Sequence, residues 1–215
     1  MPYYMGADWS YILILIGAVI SMIASVKVKT TYAKYGNVGS HSRMTAMQAA
    51  RKILDNAGLR HIRIEKVAGD LTDHYSPKEL VLRLSDTTIN STSIAAIGVA
   101  AHECGHAIQH AKKYVPLNVR NAIVPVANIG SKLSWPMILI GLLFGVTGFL
   151  DLGIVFFSFS LIFQVITLPV EFNASNRALV MLEDYGILGQ DEKRKAKSVL
   201  SAAAMTYVAA AASSI

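Results

Sequence analysis

Residues 94–112 read IAAIGVAAHECGHAIQHAK, eight small apolar residues followed by His102-Glu103-Cys104-Gly105-His106. The run has no break from residue 94 to Lys112, and NSTS at 90–93 supplies side chains able to cap it, so the spacing predicts one long helix ending before Pro116. On a helix, positions i and i+4 lie ~40° apart on one face, which lets His102 and His106 reach a single ion. Glu103 lies ~100° round from His102, beside such an ion, where a carboxylate serves as base toward a metal-activated water. With six His and six Glu in 215 residues, shuffling produces this pattern in roughly 0.5% of chains. Chance is therefore a poor explanation. Two imidazoles and a carboxylate in so apolar a helix are also costly to bury without a ligand. Together these observations point to a catalytic zinc site with Zn2+ as cofactor.

Such a zinc keeps three protein ligands and one position for water. A third His six residues beyond His106 would mark one known class, but that position is Lys112. His110 continues the row of His106 along the helix, which suits an outer hydrogen-bonding or polar-face role. Three Glu follow the motif: Glu171, Glu183 and Glu192. The last two sit among polar residues, where a solvated face is the natural reading. Glu171 directly follows a charge-free run, and a carboxylate at a membrane boundary is a candidate ligand, the other reading being a helix-start carboxylate at the interface.

The surrounding chain reads as membrane protein. Hydrophobic residues make up 53%, charged residues 16%, and the mean hydropathy is +0.43, against about 25% charged in soluble domains. Segments 9–26, 133–150, 152–170 and 198–215 carry no charge, each close to the ~20 residues that cross a bilayer. The first three are rich in Leu, Ile, Val and Phe and are expected to span. The fourth is mostly Ala and Ser, so it either spans or packs against the others. No Lys or Arg precedes residue 27, which favours a retained anchor over a cleaved signal. All 20 Lys and Arg fall in residues 27–132 (15) and 171–197 (5). Three spans place both segments on one side, and the positive-inside rule makes that side cytoplasmic, with Asp8 and Asp151 outside. The +6 charge is thus a topology signal, and no nucleic-acid module is present. Cys104 stands alone, so no intramolecular disulfide forms.

The expected fold class is mainly α membrane protein: transmembrane helices with a small α+β catalytic domain containing a short strand pair. Thr45-Ala-Met-Gln48 has capping-box form and opens a helix closed by Gly58. Alternating runs around Ile62–Val67 and Leu80–Leu84 predict two strands, a hairpin with a long loop being one arrangement. The organisation is an anchor (1–26), a cytoplasmic catalytic region (27–132), two membrane helices (133–170) and, at 171–215, a ligand-bearing helix followed by an Ala-rich helix.

HECGHAIQH at 102–110, LTDHY at 71–75 and PVEFNAS at 169–175 resemble the YugP-type neutral zinc metallopeptidases of bacterial membranes. The resemblance extends over essentially the whole chain, and its layout is also similar to the heat-shock HtpX and CAAX-processing membrane proteases. It implies a gluzincin-like protease, with His102, His106 and Glu171 as ligands of one zinc and Glu103 as catalytic residue. The HtpX and CAAX-processing proteases, like thermolysin, usually carry an Asp four residues after the ligand Glu to orient a zinc-bound His. Ser175 occupies that position here. His74 and Tyr75, in the loop before the motif helix, either line the cleft or bond within the loop. Arg177 either balances the site or meets lipid headgroups. Tyr207, alone in an Ala-rich helix, either donates to an oxyanion or packs in the bundle. The expected partners are the bilayer of the cell membrane and membrane-associated polypeptide substrates. A metal-binding scaffold without catalysis is the rival class, against which Glu103 speaks, since a structural zinc has no use for a carboxylate beside it.

Overall fold

The computed structural model describes residues 9–213. Asp8, expected outside, and the last two residues of 198–215 lie beyond the described residues. The elements are α1 (Trp9–Gly36), α2 (Ala46–Asn56), β1 (Arg63–Val67), β2 (His74–Ser76), β3 (Val81–Ser85), α3 (Ile94–Ala111), α4 (Val115–Phe144), α5 (Thr147–Asp184) and α6 (Gln190–Ser213).

The core is built around α3. Ser93 caps it by accepting from the Ala96 N–H at 3.2 Å. Its small residues Ala95, Ala96, Ala100, Ala101, Cys104 and Ala107 are buried to the last atom, so neighbouring helices approach its backbone closely. Against it packs α2, opened by a two-way capping box in which the Gln48 N–H donates to Thr45 Oγ1 and the Thr45 N–H donates to Gln48 Oε1. Ala46, Ala49, Ala50, Ile53 and Leu54 form its buried stripe, the i, i+3, i+4, i+7, i+8 pattern of a helix facing a core. Leu179 and Leu182 of α5 and Leu200 of α6 close the same cluster.

The sheet has three strands in the order β1-β3-β2. The two runs read from the sequence do pair, but in parallel, Arg63 opposite Val81 and Val67 opposite Ser85. A hairpin is ruled out. A parallel pair needs a crossover of about a dozen residues, and the turn-rich stretch after Val67 supplies it. Inside that stretch lies β2, antiparallel to β3 with Tyr75 opposite Leu82. Leu71 and Leu80 hold positive φ on either side of β2 (55° and 54°), a sparsely populated conformation for leucine. They fold the crossover so that β2 becomes the sheet edge beside α3.

Three described helices are long and apolar enough to cross a membrane: Leu15–Gly36, Val115–Phe144 and Thr147–Asp184. α4 and α5 form an antiparallel pair. The turn falls at Gly145, in the left-handed region (φ 66°), and not at Asp151, which lies in the early turns of α5. A charged residue marks polarity, whereas Gly at the C-cap position marks where the chain can reverse. The stretch up to residue 134 and the second span are one helix despite Pro125 and Pro136. The third span and the segment carrying Glu171 are likewise one helix of 38 residues through Pro169, about 57 Å long. Each proline removes one backbone hydrogen bond, and packed neighbours in a bundle absorb that loss. α6 packs antiparallel along α1, with the Ser213 hydroxyl donating to the Gly17 carbonyl at 2.9 Å. Glu192, at its start, is 3% exposed and accepts from the backbone of His41 and Gly189. It is a buried tie and not a solvated face.

Candidate metal centre

α3 presents His102 and His106 on one face, and their Nε2 atoms lie 3.1 Å apart. α5 crosses that face and brings Glu171, whose Oε2 lies 3.2 Å from His102 Nε2 and 3.6 Å from His106 Nε2. The three donor atoms fall within 4.8 Å of one another. The crossing depends on Gly105: a Cβ there would sit 2.6 Å from the Ala174 carbonyl oxygen, too close for any side chain. Glycine at that position is what allows α5 to deliver its carboxylate.

The outer nitrogens fix the rings. His102 Nδ1 is 3.1 Å from the hydroxyl of buried Ser175. His106 Nδ1 is 3.0 Å from Gln109 Oε1. Gln109 is itself fully buried and donates from Nε2 to the Val170 carbonyl and to Asn173 Oδ1. With protons on both Nδ1 atoms, two Nε2 lone pairs and a carboxylate oxygen converge on one point. Lone pairs that meet in this way repel unless a cation stands between them. Two imidazoles and one carboxylate are a catalytic zinc donor set with room for water, so the residues present fit the metal. The other oxygen of Glu171, Oε1, accepts from Arg120 Nη1 of α4 at 3.2 Å.

Glu103 points into the same cleft. Its Oε2 accepts the Tyr75 N–H of β2 at 3.0 Å. Burial pushes its carboxyl above the usual range and outweighs the opposing pull of His106 and His102. Tyr75 is held in turn by its hydroxyl, 2.9 Å from His110 Nδ1. The loop before β2 is anchored by Asp73, which accepts from the Ser85 N–H and hydroxyl and from the Thr88 hydroxyl.

Two cavities flank the donors. One, about 230 Å³, is lined by His102, Glu103, Ser175, Leu200 and Tyr207. The other, about 240 Å³, is lined by His74, Tyr75, His106, Arg120 and Tyr207. Both include Asp73, Glu103 and Glu171, so they are the two arms of one cleft running past the donors. Tyr207 of α6 faces both arms. Its phenolic O–H is a donor with access to both.

The structure therefore brings His102, Glu103, His106, Glu171, Ser175, Tyr207 and His74 to one cleft, with His110 one hydrogen bond behind. His74 is exposed, with Nδ1 2.8 Å from the Thr72 carbonyl. Arg177 lies elsewhere: its Nε donates to Asn173 at 2.7 Å, and its side chain lines a separate groove of about 740 Å³ with Lys112 and Asp184. Arg120, Gln109 and Asp73 escaped the sequence reading. Arg120 did leave a trace, being the only charge between Lys113 and Lys132.

Residues 10–215 match a family model described as "Putative neutral zinc metallopeptidase". The chain is 46% identical over 192 residues to "Putative membrane protease YugP" of Bacillus subtilis (strain 168), covering 89% of this chain and 85% of that protein. No solved structure matches it. With that match spanning nearly its whole length, and a His102–His106–Glu171 donor set at the crossing of two of its helices, the chain belongs to the neutral zinc metallopeptidase family and is similar to a membrane protease.

Proposed function

We propose that the chain is an endopeptidase of the cell membrane that hydrolyses peptide bonds in membrane-associated or misfolded polypeptides, with Glu103 as general base and one zinc held by His102, His106 and Glu171. The observation that carries this reading is the place of Glu103. Its carboxylate shares the cleft with the three donors, and the Tyr75 N–H occupies one of its oxygens.

Zinc bound there supplies a Lewis acid that polarises the scissile carbonyl and acidifies water. Glu103 takes one proton from the attacking water as its oxygen bonds to the carbonyl carbon. The same carboxyl then returns that proton to the nitrogen as the C–N bond breaks. The protonated phenol of Tyr207 faces the same space and donates to the developing oxyanion. Arg120 neutralises the far side of Glu171, and Ser175 and Gln109 keep both rings aimed. Glu103→Gln is expected to retain stoichiometric zinc while lowering cleavage of a quenched peptide library by ~10²–10⁴-fold. Wild-type cleavage by this variant would remove Glu103 from the mechanism.

The topology belongs to the same proposal. Residues 27–132 face the cytoplasm and Asp151 faces outward, as the segregation of Lys and Arg dictates. A cysteine placed near Asp151 should label from outside and one near Gly39 should not; the reverse pattern overturns the orientation. Glu171 sits on a helix long and apolar enough to cross the bilayer, which makes the cleft most accessible to a chain tethered at the membrane surface, where its effective concentration is high. A cleavable segment fused to a membrane anchor should turn over faster than the same segment free in solution, and equal rates would refute membrane presentation.

A further inference from the structure

α1 and α6 run antiparallel, and their contacts set the register. A Cβ at Gly17 would lie 3.2 Å from Ser213 Cα, and the Ser21 and Ser213 hydroxyls are 2.8 Å apart. Ten to fourteen residues further along α1 stand Lys27 and Thr31. Twelve to nineteen residues back along α6 from Ser213 stand Ser201, Ser198, Lys197 and Arg194. These six residues line one groove between the two helices, of about 490 Å³.

Its level in the molecule is informative. Lys27 is the first charge after the charge-free 9–26 of α1, and Lys197 is the last charge before the charge-free 198–215 of α6. Both helices change from apolar to basic at this groove, so it lies where the hydrocarbon meets the headgroups. Arg194 is paired with Asp191. Among the described residues, Lys27 and Lys197 have no carboxylate partner. Two unneutralised ammonium groups, with the hydroxyls of Thr31 and Ser201 beside them, form a donor set for a phosphate. Met205, 44% exposed, continues the groove on its apolar side, toward the acyl chains of a lipid.

We propose that this groove binds the headgroup phosphate of an anionic phospholipid, with Lys27 and Lys197 as its cationic contacts. The site requires only that the chain sit in a bilayer, and is independent of the peptidase reading. The full chain in detergent would be titrated with phosphatidylglycerol and with phosphatidylcholine of the same acyl chains, and bound lipid read by native mass spectrometry. Wild type should prefer phosphatidylglycerol. Lys27→Gln and Lys197→Gln should each lower that affinity about fivefold and leave phosphatidylcholine unchanged, and Lys27→Arg should restore it. Lys195→Gln makes the same change of charge ~200° round α6 and should stay within about twofold of wild type. Inorganic phosphate at millimolar concentration should fail to displace the lipid. Equal losses at residues 195 and 197, equal binding of the two lipids, or displacement by inorganic phosphate would each overturn the assignment.

Discussion

α5 passes through two environments. Along its first half, Leu152, Ile154, Val155, Phe157, Ile162 and Val165 are exposed. Along its second half, Val170, Glu171, Ala174, Ser175, Ala178 and Leu182 are buried against α3 and its neighbours. Both halves belong to one helix, so what differs is the medium. Where the surroundings are hydrocarbon, any large apolar side chain suffices, and identity matters little. Where the surroundings are protein, each position meets one specific partner: Glu171 meets two imidazoles and Arg120, Ser175 meets His102, and Ala174 meets the bare backbone of Gly105. Chemistry is confined to the second half because only there is a side chain held from several directions at once.

Substitutions along α5 and at its crossing with α3 test that contrast. Glu171→Ala removes a ligand and should lower zinc affinity by ~10³-fold or more, since two imidazoles alone hold zinc weakly. Stoichiometric zinc surviving dialysis would place the third ligand elsewhere. Gln109→Ala frees the His106 ring and also strips the Val170 carbonyl of its donor. A loss of ~10–100-fold in zinc affinity is expected, and an unchanged affinity would show that α3 alone aims the ring. Gly105→Ala should destabilise the protein by ~1–3 kcal/mol as the Ala174 backbone is pushed away, with zinc affinity falling alongside in a competition titration. Ser175→Ala removes a single hydrogen bond and should cost about tenfold in affinity. Ile154→Ala, on the hydrocarbon side, should change stability by less than about 0.5 kcal/mol and leave zinc binding untouched. A large effect there would erase the contrast between the two halves.

The same contrast explains how far the sequence could be read. The motif helix, its cap and the capping box at Thr45 were legible because each rests on residues within five positions of one another. The spans were legible because hydrocarbon sorts residues by composition alone. The pairing of β1 with β3 was not, because strand direction is set by where the intervening chain packs and not by alternation within each run. The partners of the donors were hidden for a related reason. Arg120 and Glu171 are 51 residues apart, and Asp73 is bound by residues 12 and 15 positions away. Glu171 stands out by position alone, after a long charge-free run. Ser175 is visible as a departure from the Asp expected of HtpX-like proteases, and its hydroxyl lies at His102 Nδ1, where an orienting side chain is needed.

The close approach of Gly105 to Ala174 also has a mechanical meaning. A smooth rod lying across another is free to slide, and a slide of one residue along α5 moves Glu171 by ~1.5 Å and turns it by ~100°. Metal–ligand distances tolerate only about ±0.2 Å. The carbonyl ridge at Ala174, seated in the notch left by the missing side chain at 105, acts as a detent that stops axial travel. The membrane half of α5 can then be jostled by lipid while the carboxylate stays in register with the two imidazoles.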